Sequence, residues 1–165
     1  MKILAVSGWS GAGKTTLIAA LIPQLMARGI SVSSVKHAHH GVTLDKPGKD
    51  SFVHAQAGAR EVILTTQDGF ALFSRQPAPL EALLARLAPV DLVLVEGFKA
   101  EPLPRLGVYR PGLGKPAPWP DDNLLAVAAD APLPDCPVPV LPLDEAGEIA
   151  DFVIYALGLN KPCNR

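Results

Sequence analysis

The chain has 165 residues, of which 48% are hydrophobic and 19% charged, and its formal net charge is −1. This length and composition predict one compact, soluble domain over residues 1–165 and exclude a disordered chain. The basic residues are scattered, so no nucleic-acid partner is expected. Cys136 and Cys163 form no CxxC pair, which fits a reducing cytoplasm. The apolar runs at residues 3–6 and 17–26 are too short for a signal peptide or for a membrane span of ~20 residues.

The first elements of the chain read as strand, loop and helix. Residues 2–7 form a continuous apolar run that ends in a glycine-rich loop. From Lys14 onward, apolar residues recur at helical spacing: Leu17, Ile18, Leu21, Ile22 and Leu25. Pro23 removes one backbone hydrogen bond and predicts a kink, and Gly29 predicts the end of this helix. Residues 31–36 alternate as a second strand.

The middle of the chain predicts a helix, a hairpin and a second helix. Asp50 or Ser51 is a helix start and Gly58 its end. Residues 61–65 and 69–74 read as a strand pair joined by a tight turn. A further helical stretch at residues 80–87 is ended by Pro89.

The next element is a strand of the kind found inside parallel sheets. Residues 91–95 are almost wholly apolar, which is typical of a strand buried on both faces, and Glu96 follows it directly. After it, 11 of the 17 prolines lie within residues 102–142. This density predicts loops and sheet-edge strands, with short strands at residues 106–109 and 124–128. Residues 144–157 close the chain as an amphipathic helix.

The glycine loop after the first strand matches the phosphate-binding pattern G-x-x-x-x-G-K-[ST] at every fixed position, and it lies between a predicted strand and a predicted helix. Glycines let backbone N–H groups point at phosphate oxygens, and the helix start adds its positive dipole end. Lys14 is expected to neutralise the β and γ phosphates, Thr15 to ligate Mg²⁺, and Thr16 to reach the α phosphate. The expected ligand-binding residues of the loop are Gly8, Ser10, Gly11, Ala12, Gly13, Lys14, Thr15 and Thr16.

The loop and the alternation of strands and helices predict an α/β fold, the P-loop NTPase three-layer sandwich with a mostly parallel sheet and helices on both faces. In such a sheet ligands bind beyond the carboxyl ends of the strands. Glu96 stands at that position, and three roles are open for it: polarising an attacking water, holding Mg²⁺ through water, or a solvated loop carboxylate.

Three further polar segments follow strands or precede helices. Lys36 and the histidines His37, His39 and His40 come at the end of the second strand. Three interpretations are open for these histidines: they contact an anionic ligand, they are simply exposed or core side chains, or they bind a metal. Asp50 is either a helix N-cap or a residue near Mg²⁺. Asp130 follows the strand at residues 124–128 and is either a recognition group for guanine or a turn aspartate.

The order of these motifs resembles the molybdopterin-guanine dinucleotide biosynthesis protein B (MobB) group of P-loop proteins. The resemblance rests on four pieces: residues 8–17, residues 36–40, residues 48–51 running into 57–59, and residues 91–99 with their Glu-Gly-Phe-Lys end. It covers the first hundred residues, and the proline-rich part matches only in general character.

The resemblance implies a dimeric, cytoplasmic adaptor that binds GTP and Mg²⁺ and hydrolyses GTP weakly. Such an adaptor assists the nucleotidyltransferase MobA in attaching GMP to molybdopterin, with molybdopterin or molybdoenzymes as further partners. Carried over by position, Thr15 and Glu96 serve Mg²⁺, and Asp50 and the histidine loop line the site. The competing hypothesis is a P-loop small-molecule kinase, which needs an arginine-rich lid. The seven arginines form no cluster, which disfavours it.

Overall fold

The computed structural model describes residues 1–38 and 45–159. The chain separates into two compact units, one formed by Met1–His37 with Leu87–Arg165 and the other by Ala38–Arg86. The expectation of a single nucleotide-binding domain over the whole chain stays a prediction.

The strands and helices of the described residues follow one another much as the apolar patterns predict. The strands are β1 Lys2–Gly8, β2 Val32–Lys36, β3 Glu61–Thr65, β4 Phe70–Ser74, β5 Leu92–Glu96, β6 Arg105–Tyr109, β7 Leu124–Ala129 and β8 Val140–Pro142. The helices are α1 Lys14–Ala27, α2 Asp50–Gln56, α3 Leu80–Leu84 and α4 Ala146–Leu157, and a short 3-10 turn covers Pro111–Leu113.

The first unit is built on a parallel sheet with the strand order β2-β5-β1-β6-β7-β8. Every neighbouring pair in it is parallel. The apolar run of β5 is fully buried from Leu92 to Val95, as expected for a strand covered on both faces. The predicted P-loop α/β fold is confirmed.

The main core lies on one face of this sheet. Alternate residues of four strands point to that face, among them Val6, Leu94, Leu106 and Ala128, and they pack with the apolar sides of α1 and α4. On the other face, Val127 and Ala129 pack with the proline-rich part of the chain, including Trp119 and Leu133.

The prediction that residues 102–142 supply only loops and sheet edge is wrong for β6. This strand lies between β1 and β7, and it is buried from Arg105 to Val108. The prolines flank β6 instead of interrupting it, so every ladder N–H of the strand is present. β8, which ends at Pro142 and pairs only with β7, is an edge strand as a proline requires.

The second unit contains α2, α3 and the antiparallel pair of β3 and β4, in which Ile63 lies opposite Leu72. The predicted hairpin is therefore confirmed. Helix α3 ends at Leu84, earlier than the predicted residue 87. Helix α2 begins at Asp50 with Lys49 as its N-cap, so the prediction of Asp50 as a plain N-cap is wrong by one position.

Candidate functional site

The carboxyl ends of the parallel strands bring five sequence-distant residues to one edge of the sheet. Gly8 ends β1, Lys36 ends β2 and Glu96 ends β5, while Arg110 and Asp130 directly follow β6 and β7. Side chains at this edge of an α/β sheet face the region where ligands bind.

The loop from Gly8 to the start of α1 has the backbone that phosphate binding requires. Gly8 has a φ of 154°, and a Cβ atom there would lie 2.3 Å from the carbonyl oxygen of Val108. Gly13 caps α1 in the left-handed region, with φ 101°, and no side chain satisfies the helix start. The first N–H groups of α1 have no partner within the helix, so together with the helix dipole they form an anion-binding end.

Lys14 lies folded over this loop. Its Nζ donates to the carbonyl oxygen of Trp9 at 2.9 Å. Burial lowers the pKa of Lys14 below its ordinary value of 10.5, and the carboxylate of Glu96 opposes that effect. Lys36 and Lys99 lower the Lys14 pKa further, so several ammonium groups crowd one small region that an anion would stabilise.

Thr15 and Glu96 form the second part of the site. The Thr15 hydroxyl lies 3.0 Å from Oε1 and 3.1 Å from Oε2 of Glu96 and donates to this carboxylate. Oxygen ligands at right angles around Mg²⁺ lie about 3.0 Å apart when each is ~2.1 Å from the ion. A hydroxyl and a carboxylate at this spacing fit a magnesium site, and the role of Thr15 and Glu96 at Mg²⁺ stays a prediction.

Arg110 is a residue of the site that the sequence analysis missed. Its Nε donates to the carbonyl oxygen of Ala12 at 3.0 Å, and its Nη1 pairs with Oδ2 of Asp130 at 2.8 Å. The guanidinium also lies close to Gly13, where an added Cβ would be 3.6 Å from Nη2. Its position directly after a strand was the available signal, but that strand was predicted to lie at the sheet edge.

Asp130 is linked to the phosphate loop by Arg110, which bonds both to Asp130 and to the carbonyl oxygen of Ala12. The side chain of Asp130 is 38% exposed, and its carboxylate forms the ion pair with that arginine. A cleft of about 280 Å³ opens on the same side of the loop and is lined by Gly13, Thr16, Leu17, Arg110, Leu143 and Asp144. The predicted contact of Asp130 with guanine stays a prediction.

Trp9, at a position of the loop that the motif leaves unspecified, is held between basic side chains. Its ring N–H donates to the carbonyl oxygen of Pro116 at 2.8 Å. The ammonium groups of Lys99 and Lys115 lie 5.2 Å and 5.9 Å from its ring centroid, within the range of cation–π attraction. The loop is thus braced by the segment around residue 116.

The other predicted site residues are distributed differently. The ring of His37 packs on Phe98 with 4.8 Å between centroids, and the backbone N–H of His37 donates to the backbone carbonyl oxygen of Glu96 at 2.8 Å. His39 and His40 lie outside the described residues. Asp50 belongs to the second unit, and its role near Mg²⁺ stays a prediction, as do ligand contacts of Ser10 and Thr16.

This fold and this loop define a P-loop protein of the α/β class. A family model described as "Molybdopterin guanine dinucleotide synthesis protein B" matches residues 3–130. The chain belongs to this family, and the resemblance stated from the sequence is confirmed.

Curated relatives extend the match beyond the family model. The chain is 43% identical to the "Molybdopterin-guanine dinucleotide biosynthesis adapter protein" of Haemophilus influenzae, a match that covers 93% of this chain and 88% of the relative. It is 41% identical to the protein of the same name from Escherichia coli, over 93% and 92% of the two chains.

Solved structures agree with the fold. A MobB homolog from Bacillus stearothermophilus superposes with a TM-score of 0.70 at 27% identity, covering 97% of this chain and all of the other. Bacillus subtilis MobB superposes with a TM-score of 0.76 at 24% identity, covering 95% of this chain and 98% of the other, and supports the fold alone. Within the part of the chain that the structure describes, no helix is both long and apolar enough to cross a membrane.

Proposed function

We propose that this protein is a GTP-binding adapter of molybdenum cofactor biosynthesis, which supports the attachment of GMP to molybdopterin. The observation that carries the proposal is the contact of Thr15 with Glu96 at 3.0 Å, directly beside a complete phosphate loop. The names of the relatives from Haemophilus influenzae and Escherichia coli support the adapter role.

In this proposal the phosphate chain of GTP lies on the N–H groups of the loop and the start of α1. Lys14 turns from the Trp9 carbonyl to the β and γ phosphates, since a charged phosphate oxygen is the stronger acceptor. Thr15 and Glu96 hold Mg²⁺, which neutralises phosphate charge when bound. Arg110 fixes the loop by its bond to the Ala12 carbonyl oxygen.

The cleft lined by Gly13, Thr16, Arg110 and Leu143 is the proposed place for the nucleoside, because it opens directly beside the loop. Its volume of about 280 Å³ lies near the lower end of the ~300–1,000 Å³ common for ligand sites. Asp130 is paired with Arg110, which lines this cleft. Its carboxylate is the proposed acceptor for guanine N–H groups.

The proposed partner of this adapter is the nucleotidyltransferase MobA, and molybdopterin or molybdoenzymes are proposed as further partners. The proposed location is the cytoplasm. A homodimer is proposed as well. The β3–β4 hairpin supports it, because Ile63, Phe70 and Leu72, which share one face of this hairpin, are 38–76% exposed. A two-stranded sheet by itself is marginally stable in water, so a second copy covering these apolar side chains would stabilise it.

Calorimetric titration of the purified full-length chain with GTP and with ATP, each with and without Mg²⁺, tests the proposal. GTP should bind with a stoichiometry of one per chain, more tightly than ATP, and more tightly with Mg²⁺ than without it. Equal or better binding of ATP would overturn the choice of nucleotide. Absence of binding of either nucleotide would overturn the proposal itself.

A further inference from the structure

The ammonium group of Lys36 contacts both of the groups assigned to Mg²⁺. Its Nζ lies 3.1 Å from the hydroxyl oxygen of Thr15 and 3.3 Å from Oε1 of Glu96. This placement follows from the sheet, because β2 and β5 are parallel neighbours with Lys36 directly opposite Glu96. The side chains of two residues in register at the ends of adjacent strands project together.

Glu96 needs a positive partner, because its side chain is only 14% exposed and an unpaired carboxylate is costly to bury. The other two lysines of the site are engaged elsewhere. Lys14 donates to the Trp9 carbonyl oxygen, and Lys99 lies over the Trp9 ring. Among the described residues, Lys36 therefore supplies the ion pair to Glu96.

A divalent cation bound to the Thr15 hydroxyl and the Glu96 carboxylate would lie close to the Lys36 ammonium, because both cations would contact the same two groups. Two cations this close repel each other strongly, most of all where water is partly excluded. The Lys36 side chain is 56% exposed, so it can swing into solvent on its flexible stem at little conformational cost.

We propose that Lys36 and Mg²⁺ compete for the Thr15–Glu96 pair. Lys36 is the counter-ion of Glu96 when magnesium is absent, and it gives up this position when Mg²⁺ enters with the nucleotide. The inference rests on the proposed function, since it needs a magnesium-bound nucleotide at this loop. It assigns to Lys36 a positioning role that sets how much Mg²⁺ the site requires.

The experiment is nucleotide binding by calorimetry over a series of Mg²⁺ concentrations, with the wild-type full chain and Lys36→Met, Lys36→Gln, Lys36→Arg and Lys2→Met. Removing the competing ammonium should lower the half-saturating Mg²⁺ concentration about three- to tenfold in Lys36→Met and Lys36→Gln. In EDTA the same variants should bind nucleotide more weakly, because the bare Glu96 carboxylate repels phosphate. Lys2→Met, at the opposite end of the sheet, should behave like the wild type, whereas Lys36→Arg, which keeps the positive charge, should shift the magnesium requirement less than the two uncharged Lys36 variants.

A merely structural Lys36 would not shift the magnesium requirement, and thermal melting of each variant separates misfolding from this effect. In a Glu96→Gln background the effect of Lys36→Met should vanish. The competition would be overturned if the wild type binds nucleotide in a Mg²⁺-dependent way but both uncharged Lys36 variants need as much Mg²⁺ or more. That outcome would leave the proposed function intact. Failure of the wild type to bind GTP or ATP at any Mg²⁺ concentration would overturn both.

Discussion

The hydroxyl of Thr15 donates to the carboxylate of Glu96 at 3.0 Å, although 81 residues separate the two in the chain. Thr15 is the second residue of α1, the helix after β1, and Glu96 ends β5. These strands are direct parallel neighbours, with Val6 opposite Glu96. The contact is therefore a consequence of strand order, and it joins the phosphate loop to the proposed magnesium ligand.

Glu96→Gln tests this pair. The amide keeps the volume of the carboxylate but loses its charge, so the half-saturating Mg²⁺ concentration for GTP binding should rise about 10- to 100-fold, a range typical when a group of a metal site is changed. Affinity for GTP in EDTA should stay the same or improve slightly. Calorimetry over a Mg²⁺ series measures both, with Glu148→Gln on α4 as the matched control. An unchanged Mg²⁺ requirement would reduce Glu96 to a structural carboxylate.

Lys14→Ala should weaken GTP binding by about 10- to 150-fold, because charge-assisted hydrogen bonds are worth ~1.5–3 kcal/mol and a tenfold change corresponds to ~1.4 kcal/mol. The fold should persist, since the Lys14 ammonium donates to the Trp9 carbonyl oxygen over the loop and does not pack in the core. Titration with GTP and Mg²⁺ and a thermal melt of the same sample give the two results. Lys2→Ala is the control, and wild-type affinity in Lys14→Ala would contradict the phosphate-loop assignment.

Arg110→Ala should weaken GTP binding, because the carbonyl oxygen of Ala12 in the loop loses its hydrogen bond and the cleft proposed for the nucleoside loses one wall. The free energy of unfolding should fall by about 0.5–1.5 kcal/mol from that hydrogen bond, since the half-exposed ion pair with Asp130 adds little. Urea denaturation and GTP titration are the measurements. Arg86→Ala, which removes a surface ion pair with Glu61 in the second unit, is the control that should leave GTP affinity unchanged.

Phe70→Glu tests the proposed dimer. Phe70 is 76% exposed on β4, and a carboxylate there would be desolvated in an interface between two copies. We expect the variant to sediment as a monomer in analytical ultracentrifugation where the wild type sediments as a dimer. Tyr155→Glu on α4, where the native side chain is 80% exposed, should keep the wild-type state. A dimeric Phe70→Glu would place the interface elsewhere.

Turnover of GTP by the purified protein should be slow, well below the ~1–100 s⁻¹ typical of kinases. Fast phosphoryl transfer needs a free positive group at the γ phosphate, and an arginine finger alone is worth about 10³–10⁵ in rate. Arg110 reaches the loop, but its guanidinium is bound to the carbonyl oxygen of Ala12 and the carboxylate of Asp130. Steady-state phosphate release with GTP and Mg²⁺ measures the rate, and addition of the partner should change it. Many turnovers per second without a partner would favour the kinase hypothesis.

The phosphate loop could be read from the sequence because its chemistry is local. Glycines at fixed spacing, a lysine and a threonine lie within eight consecutive positions, and the flanking strand and helix have clear apolar patterns. Strand β5 with Glu96 at its end was equally readable, because a strand buried on both faces is continuously apolar. The family resemblance rested on these same segments and was confirmed.

The sequence pattern placed β6 at the sheet edge and did not assign Arg110 to the site. The reason is that the density of prolines describes a whole region and not each element within it. The short strand Arg105–Tyr109 contains no proline, and it occupies an inner position of the sheet beside β1. Nothing in a local pattern gives the order of strands in space. Arg110 could not be assigned to the site until that order was known.

The sequence by itself determined the phosphate loop and the parallel α/β class, since these depend on short-range spacing and apolar periodicity, and the resemblance of its motifs to a known group indicated the family. The tertiary structure alone decided which side chains meet at the loop. Lys36, Glu96 and Arg110 come from β2, β5 and the end of β6, and only the order in which these strands pair brings them within hydrogen-bonding distance of Thr15 and Ala12. Pairing between parallel strands is a long-range choice, made by burial of whole strands in the core, and no local segment records it.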